Sequence, residues 1–369
     1  MTRSADFRIA VFTGDGIGAE ITPPTLRLIA KAAARTGGFS ITPQNCPAGA
    51  AHYRDHGEAL PKASILTARK ADAMLLAAMG LPSVRYNDGT EISPQLDLRF
   101  EFDLYAGVRP IRAIPGVPVV LADPRAAAMD FVILRESTEG LFASHGKGEV
   151  THDRATETMV LTRHTTERLH DFGLALAAQR HQEGGQGRVT CVDKANVFRA
   201  FAWFREIFDG RAQALPDLTA DHMYIDACAL TMVQRPWALD VLITENMFGD
   251  ILSDLGAGLI GGMGYAPSAD IGDAHALFQP CHGSAPDIAG QGVANPTAMI
   301  LSAAMMLEWL GRKNGVAEAS DAGGLIRRSV DVAFADGTLR TCEFGGDADT
   351  AAVFAAVEAA MDTVDTADG

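Results

Sequence analysis

Asp250 and Asp254 stand at i and i+4 in the segment TENMFGDILSD, inside a stretch that is otherwise apolar and glycine-rich. On a helix that spacing sends both carboxylates off one face, with Ile251, Leu252 and Leu255 turned elsewhere. Like charges one turn apart repel unless a cation lies between them, and apolar flanks fit poorly with a merely solvated helix face. Paired carboxylate oxygens suit Mg²⁺ or Mn²⁺ better than zinc. Asp226, in MYIDACAL with apolar neighbours, and Lys194, in CVDKANVF just after a strand, add a third carboxylate and an amine. Alone they read as a structural acceptor and a surface charge. Taken with the pair, they complete a site in which a metal and a lysine share one substrate oxygen. Arg99 in LDLRFEFDLY, Arg109 in AGVRPIR and Arg135 in VILRESTEG sit at strand or helix ends. Three guanidinium forks would hold a substrate with two or more carboxylates; three ordinary surface arginines are the competing reading.

Those groups need a scaffold, and the chain reads as a large α/β one. FRIAVFTGDGIG is a strand stopped by glycines, and EITPPTLRLIAKAAA opens a helix with prolines near its start. ADAMLLAAMG, VPVVLAD, DFVILRES, VTCVD and ALDVLITEN are further strand-like runs. ETMVLTRHTTERLHDFGLALAAQRH and KANVFRAFAWFREIFDG carry helical spacing, the second with its aromatics on a buried face. Strands alternating with helices imply a largely parallel sheet, and 369 residues imply two lobes or one large unit with a cleft. GAGLIG, Gly256 to Gly261, fits the dinucleotide G-x-G-x-x-G pattern but follows the acidic helix instead of a strand, so it is rejected as a Rossmann fingerprint. GDGIG reads as a tight turn. HGSAPDIAGQGVANP is a long polar loop able to wrap a nucleotide.

A net charge of −15 without a basic block excludes a nucleic-acid surface or an anionic membrane as partner. Five scattered cysteines with no C-x-x-C pair argue against a zinc site or a disulfide framework. The start, MTRSADFRIAVF, lacks a signal peptide's apolar run, and AMILSAAMMLEWL is too short to span a bilayer, so a cytoplasmic protein is expected. The acidic end, DTVDTADG, is expected to fray.

From GDGIGAE through DLYAGVRPI, RESTEG, VDKANVF and TENMFGDILSDLGAG to HGSAPDIAGQGVANPTAMILSAAMML, nearly the whole chain resembles, in order, the metal-dependent β-decarboxylating dehydrogenases. That family includes the isocitrate, isopropylmalate, homoisocitrate, tartrate and D-malate enzymes. The resemblance implies a two-lobed, non-Rossmann α/β fold with a mostly parallel sheet and helices on both faces. Residues 1–104 and 261–369 would form a large NAD-binding lobe, and residues 105–260 a middle lobe with the metal carboxylates and a homodimer interface. It implies Mg²⁺ or Mn²⁺ on Asp250 and Asp254, joined by Asp226 of the second subunit, with Lys194 also donated across the dimer. Arg99, Arg109 and Arg135, with Ser93 and Gln95, would bind a small anionic 2-hydroxy acid. The cofactor would meet His282, Gly283, Ser284, Ala285, Asp287, Ile288, Asn295 and Asn196. Asp287 takes the place of the acid that binds the adenosine ribose, so NAD is expected over NADP, whose 2′-phosphate it would repel.

The sequence departs from the family at one catalytic position. Seven residues after Arg135, where the family places the tyrosine that protonates the enolate left by decarboxylation, stands Phe142, which has no proton to give. Water or a neighbour such as His145 then takes the role, or oxidation proceeds without decarboxylation. The segment EISPQLDLR lacks the apolar pair that meets the isopropyl group in isopropylmalate enzymes, and Ser93 resembles a serine of the isocitrate enzymes without completing their pattern. A non-catalytic paralogue is the rival reading, and a metal-dependent hydrolase or lyase without NAD a third.

Overall fold

The computed structural model describes residues 5–365. Its strands are β1 (Ala5–Gly14), β2 (Phe39–Asn45), β3 (Ala73–Ala78), β4 (Ala106–Arg112), β5 (Asp130–Glu136), β6 (Glu149–Val150), β7 (Ala155–Thr156), β8 (Arg188–Asp193), β9 (Thr219–Tyr224), β10 (Val241–Thr244), β11 (Pro267–Ile271) and β12 (Ala276–Pro280). The α-helices are α1 (Gly18–Thr36), α2 (Ala50–His56), α3 (Lys62–Lys70), α4 (Pro94–Glu101), α5 (Arg163–Gln182), α6 (Arg199–Ala212), α7 (Ile225–Gln234), α8 (Asn246–Leu259), α9 (Thr297–Asn314), α10 (Ala317–Phe334) and α11 (Thr350–Thr363).

Ten strands make one sheet in the order β2-β1-β3-β12-β11-β4-β5-β10-β8-β9, with β6 and β7 paired apart. Pairing is parallel towards both ends and antiparallel in the middle, where β11 meets β12 and β4 and where β4 meets β5. The largely parallel sheet and the helical cover agree with the α/β expectation. Alternation along the strands explains that cover. Ile9, Val11, Leu75 and Ala77 enter one core, while Ala10, Phe12, Met74 and Leu76 enter another on the opposite face, so β1 and β3 are apolar on both sides. The apolar run AMILSAAMMLEWL becomes α9, buried against the sheet and α10. No helix among the described residues is long and apolar enough to cross a membrane.

Two local expectations are corrected, and a third falls largely outside the described residues. Helix α1 begins at Gly18, so Pro23 and Pro24 lie a full turn inside it; Thr22 and Thr25 hydroxyls donate to the Gly18 and Ile21 carbonyls, both at 2.7 Å. VPVVLAD is not a strand. The chain turns at Gly116, Pro118 offers no N–H, and Val120 is exposed, its N–H donating to Leu259 O at the end of α8. The strand used instead is β4. Of the acidic end, Asp362 and Thr363 still belong to α11, and residues 366–369 lie outside the described ones.

Candidate active site

The acidic helix is started by Glu245, whose carboxylate accepts from Phe248 N at 2.7 Å and Met247 N at 3.1 Å. Helix α8 then crosses β5 at close range. A Cβ on Gly249 would lie 2.6 Å from the Arg135 side chain, so glycine there lets the helix lie over that arginine. Asp250 pairs with Arg135 Nη1 as a result. Asn246 Oδ1 fixes the other side of the same guanidinium, accepting from Nε at 3.0 Å and Nη2 at 2.7 Å.

Asp250 and Asp254 line a cavity of about 170 Å³ together with Arg99, Arg109, Arg135, Gln95, Ser253, Gln279, Cys281, His282 and Gly283. The expected i, i+4 face is therefore realised, and all three arginines meet it. They are buried, not surface residues, and Arg109 sits mid-strand, not at an end. Burial, then the charge of Arg99, pulls the Arg135 guanidinium down to about 10, still protonated at neutral pH. Burial, then the charge of Asp250, raises the Asp254 carboxyl above the usual range. Asp254 adds a second hard oxygen donor one turn on from Asp250, and such a carboxylate pair fits a divalent cation such as Mg²⁺ or Mn²⁺.

Lys194 and Asp226 do not line this cavity. They pair with each other, Nζ to Oδ1 at 2.5 Å, and Asp226 is exposed, which corrects the apolar setting its flanks suggested. β8 delivers the lysine. Its last residue, Asp193, is fully buried, accepts from Ala195 N at 2.8 Å and is clamped by Arg205 at 2.7 Å. Exposed apolar side chains occur on the same and adjoining elements: Val197 and Phe198 just after the lysine, Leu230 and Val233 on α7, and Met247 and Ile251 on α8. Asn196 is exposed on the same segment.

The glycine turn after β1 has Gly14 and Gly16 at φ 68° and 56°, as a tight turn requires, and it grips the polar loop: Ile17 N donates to Ser284 O at 2.9 Å. Ser284 is spent on this scaffold, its hydroxyl donating to Gly80 O. Asn295 is spent on α9, where its Oδ1 accepts from Thr297 N and Oγ1. Ala285 takes a positive φ of 39°, rare for a residue with a side chain. Asp287 is exposed and Ile288 half-buried. At the cavity end of the loop, His282 Nε2 is buried and has no partner among the described residues, an atom that asks for a hydrogen bond from something bound beside it. Burial keeps that imidazole neutral by pulling it below its ordinary value. This orphaned atom and the open space at Gly283, where a Cβ would meet nothing, fit a bound nucleotide.

Ser93 is not in the cavity wall; it sits at the start of α4 with no capping hydrogen bond. Phe142 lies in a short 3₁₀ turn after β5, its ring centroid 5.2 Å from the Arg135 guanidinium carbon, and His145 follows, exposed. Sequence reasoning missed Asp270, Gln279 and Asn246. A lone aspartate between Ala269 and Ile271 in an apolar strand was the available signal, since a buried charge there must be paired.

The chain matches the isocitrate/isopropylmalate dehydrogenase family over residues 8–360. It is 40% identical over 344 residues to a 3-isopropylmalate/3-methylmalate dehydrogenase of Methanocaldococcus jannaschii, covering 93% of this chain and 95% of that one. A homoisocitrate dehydrogenase of the same organism is 38% identical over 349 residues, covering 93% and 94%. The crystal structure of isocitrate dehydrogenase from Methylococcus capsulatus superposes with a TM-score of 0.82 at 35% identity, covering 96% of this chain and 99% of that one. With the doubly covered sheet and the cavity that gathers arginines opposite paired carboxylates, the chain belongs to the isocitrate/isopropylmalate dehydrogenase family and is an oxidoreductase of that family.

Proposed function

We propose that this protein is an NAD- and Mg²⁺- or Mn²⁺-dependent dehydrogenase, acting in the cytoplasm as a homodimer. It oxidises a D-malate-type 2-hydroxy acid with loss of the 3-carboxylate as CO₂. The observation that carries this reading is the meeting, in one cavity, of buried arginines with Asp250 and Asp254 at the mouth of the His282–Gly283 loop. Relatives bearing isopropylmalate and homoisocitrate dehydrogenase names support the reaction class. The proposed lobes are residues 1–104 with 261–369, and 105–260; the strands of the second group are contiguous in the sheet.

In this reading Asp250 and Asp254, with Asp226 from the second subunit, hold the metal. The metal supplies Lewis acidity at the 2-oxygen, and NAD supplies the hydride acceptor. The side chains do the rest. Arg99, Arg109 and Arg135 bind and orient substrate carboxylates, and His282 Nε2 meets the cofactor. Asp287, exposed on the loop, accepts from the adenosine ribose hydroxyls. Lys194, released when Asp226 turns to the metal, would receive the proton of the 2-hydroxyl from across the dimer as the neutral amine. The exposed apolar side chains on the elements that carry and adjoin Lys194 and Asp226 support the dimer, because an isologous contact would cover them and bring each lysine to the other subunit's cavity. Phe142 favours the second reading, a non-catalytic subunit, since it removes a general acid.

The deciding experiment is NADH formation with Mg²⁺ or Mn²⁺ on D-malate, tartrate, isocitrate, homoisocitrate and 3-isopropylmalate, with CO₂ followed in parallel. The expected result is NADH with matching CO₂ on at least one acid. NADH without CO₂ restricts the enzyme to oxidation, and no NADH from any of them overturns the catalytic reading in favour of the second.

A further inference from the structure

Lys194 and Asp226 leave the same corner of the sheet. β8 ends at Asp193 and β9 at Tyr224, and these two are register partners in a parallel pair. The lysine follows one strand end directly, and the aspartate lies two residues past the other. The ladder itself does not fix what comes after those ends. One side chain from α6 ties them together. The Arg205 guanidinium forks onto Asp193, Nε to Oδ2 at 2.8 Å and Nη2 to Oδ1 at 2.7 Å, and its carbon lies 5.2 Å from the centroid of the Tyr224 ring.

Each of these contacts passes its constraint on to the next residues. Asp193 is fully buried, and its Oδ1 also accepts from Ala195 N at 2.8 Å, so the carboxylate that Arg205 orients closes the turn that contains Lys194. The Lys194 carbonyl accepts from Val197 N at 3.0 Å and Phe198 N at 3.1 Å, which leads the chain into α6, the helix that carries Arg205. On the other side, Tyr224 is the N-cap residue of α7 and Asp226 lies in that helix's first turn, so the ring beside the guanidinium sets where Asp226 begins. Helix α6 is seated by Phe201, Phe204, Ile207 and Phe208, all buried, which gives Arg205 a fixed origin. The hydrogen bonds from Asp193 hold its guanidinium above the ordinary value, so it stays charged. Among the described residues none of its hydrogen bonds reaches Lys194 or Asp226.

We propose that Arg205 is a positioning residue: by clamping the ends of β8 and β9 it holds Lys194 and Asp226 at the separation that lets a proton acceptor and a metal ligand enter one cavity together. It acts through Asp193 and Tyr224 alone. The inference rests on the dehydrogenase reading, which gives Lys194 and Asp226 their work.

Truncating Arg205 by itself would strand Asp193 as a buried, unpaired charge. The test variant is therefore Arg205→Met with Asp193→Asn, which removes both charges together and leaves an amide oxygen for Ala195 N. Arg205→Lys, which keeps the charge and loses the fork, is the second variant. Each is followed by thermal melting, by steady-state NADH formation with Mg²⁺ on whichever acid the wild type oxidises, and by amide hydrogen exchange. The double variant is expected to melt within about 5 °C of the wild type, with kcat lower by at least about tenfold and the KM of the acid changed by less than about twofold. Exchange over residues 193–199 should be at least about tenfold faster, with residues 188–192 unmoved. Arg205→Lys should lower kcat by at least about threefold in the same pattern. A merely structural role would lower the melting temperature and leave kcat and the local exchange of the folded protein alone. Wild-type kcat or wild-type exchange in the folded double variant overturns the proposal, and if that variant fails to fold, Arg205→Lys decides by the same two readings. Absence of NADH from the wild type with every acid refutes the dehydrogenase reading, and the exchange of residues 193–199 then decides alone whether Arg205 holds the segment.

Discussion

Phe142 is a phenyl ring lying against Arg135, 5.2 Å from its guanidinium carbon, so its contribution to the wall is a cation–π contact and bulk. A hydroxyl at its para position would restore a proton donor without changing the fold, because the residue is half-buried in a short turn. Phe142→Tyr is therefore expected to speed protonation of the enolate by anything up to about 10²- to 10⁴-fold, the usual worth of a general acid. Deuterium uptake at C3 of the product in D₂O measures it. A rate equal to that of the wild type would mean that another donor already serves. His145 is the nearest such candidate in sequence, being exposed three residues on.

At the scale of elements, the helices that cover the outer half of the sheet contain a titratable joint. His170 of α5 is fully buried between the rings of Phe204 and Phe208 of α6, with Nε2 3.1 Å from Phe204 O. Burial pulls its imidazole down to about 4 from an ordinary 6.5. The folded value lies below the unfolded one, so the unfolded chain takes up the proton first as pH falls. The stability is whole above about 6.5 and drains away between there and about 4, on the order of 3 kcal/mol across the window. Melting temperatures from pH 7 to 4 should fall more steeply for the wild type than for His170→Leu. Parallel curves would show that the α5–α6 joint is not what titrates. The same packing anchors β8 and hence Lys194, so this joint belongs to the positioning of the site as well as to stability.

For the whole molecule, Lys194 and Asp226 lie outside the cavity that holds Asp250 and Asp254, on segments that expose apolar side chains. If each cavity is completed by the opposite subunit, two inactive variants should rescue one another. In a Lys194→Met and Asp250→Asn heterodimer, one cavity keeps both native residues and the other loses both. Unfolding and refolding an equal mixture should restore about a quarter of wild-type activity, half the dimers being mixed and half their cavities intact. Activity no greater than that of the separate variants would place each site within one chain.

The sequence alone determined the strands and helices that are strongly periodic, the i, i+4 carboxylate face of Asp250 and Asp254, and the resemblance that named the arginines. Each of these is a local pattern or a short motif, and neither requires knowing what lies across the sheet. It misjudged VPVVLAD, where Val117 enters the core but Val120 is exposed and bonds to the end of α8, Pro118 denying the segment a ladder, and the setting of Asp226, whose apolar flanks say nothing about the face it turns outward. Only the tertiary structure decided how the arginines are partnered. Arg99, Arg109 and Arg135 are equivalent as letters, but Asp270 lies 161 residues from Arg109 and 171 from Arg99, and the register of β11 on β4 is what brings its carboxylate to both. A guanidinium binds whatever acceptor is nearest in space, and that distance is set by strand pairing, which a chain position does not record.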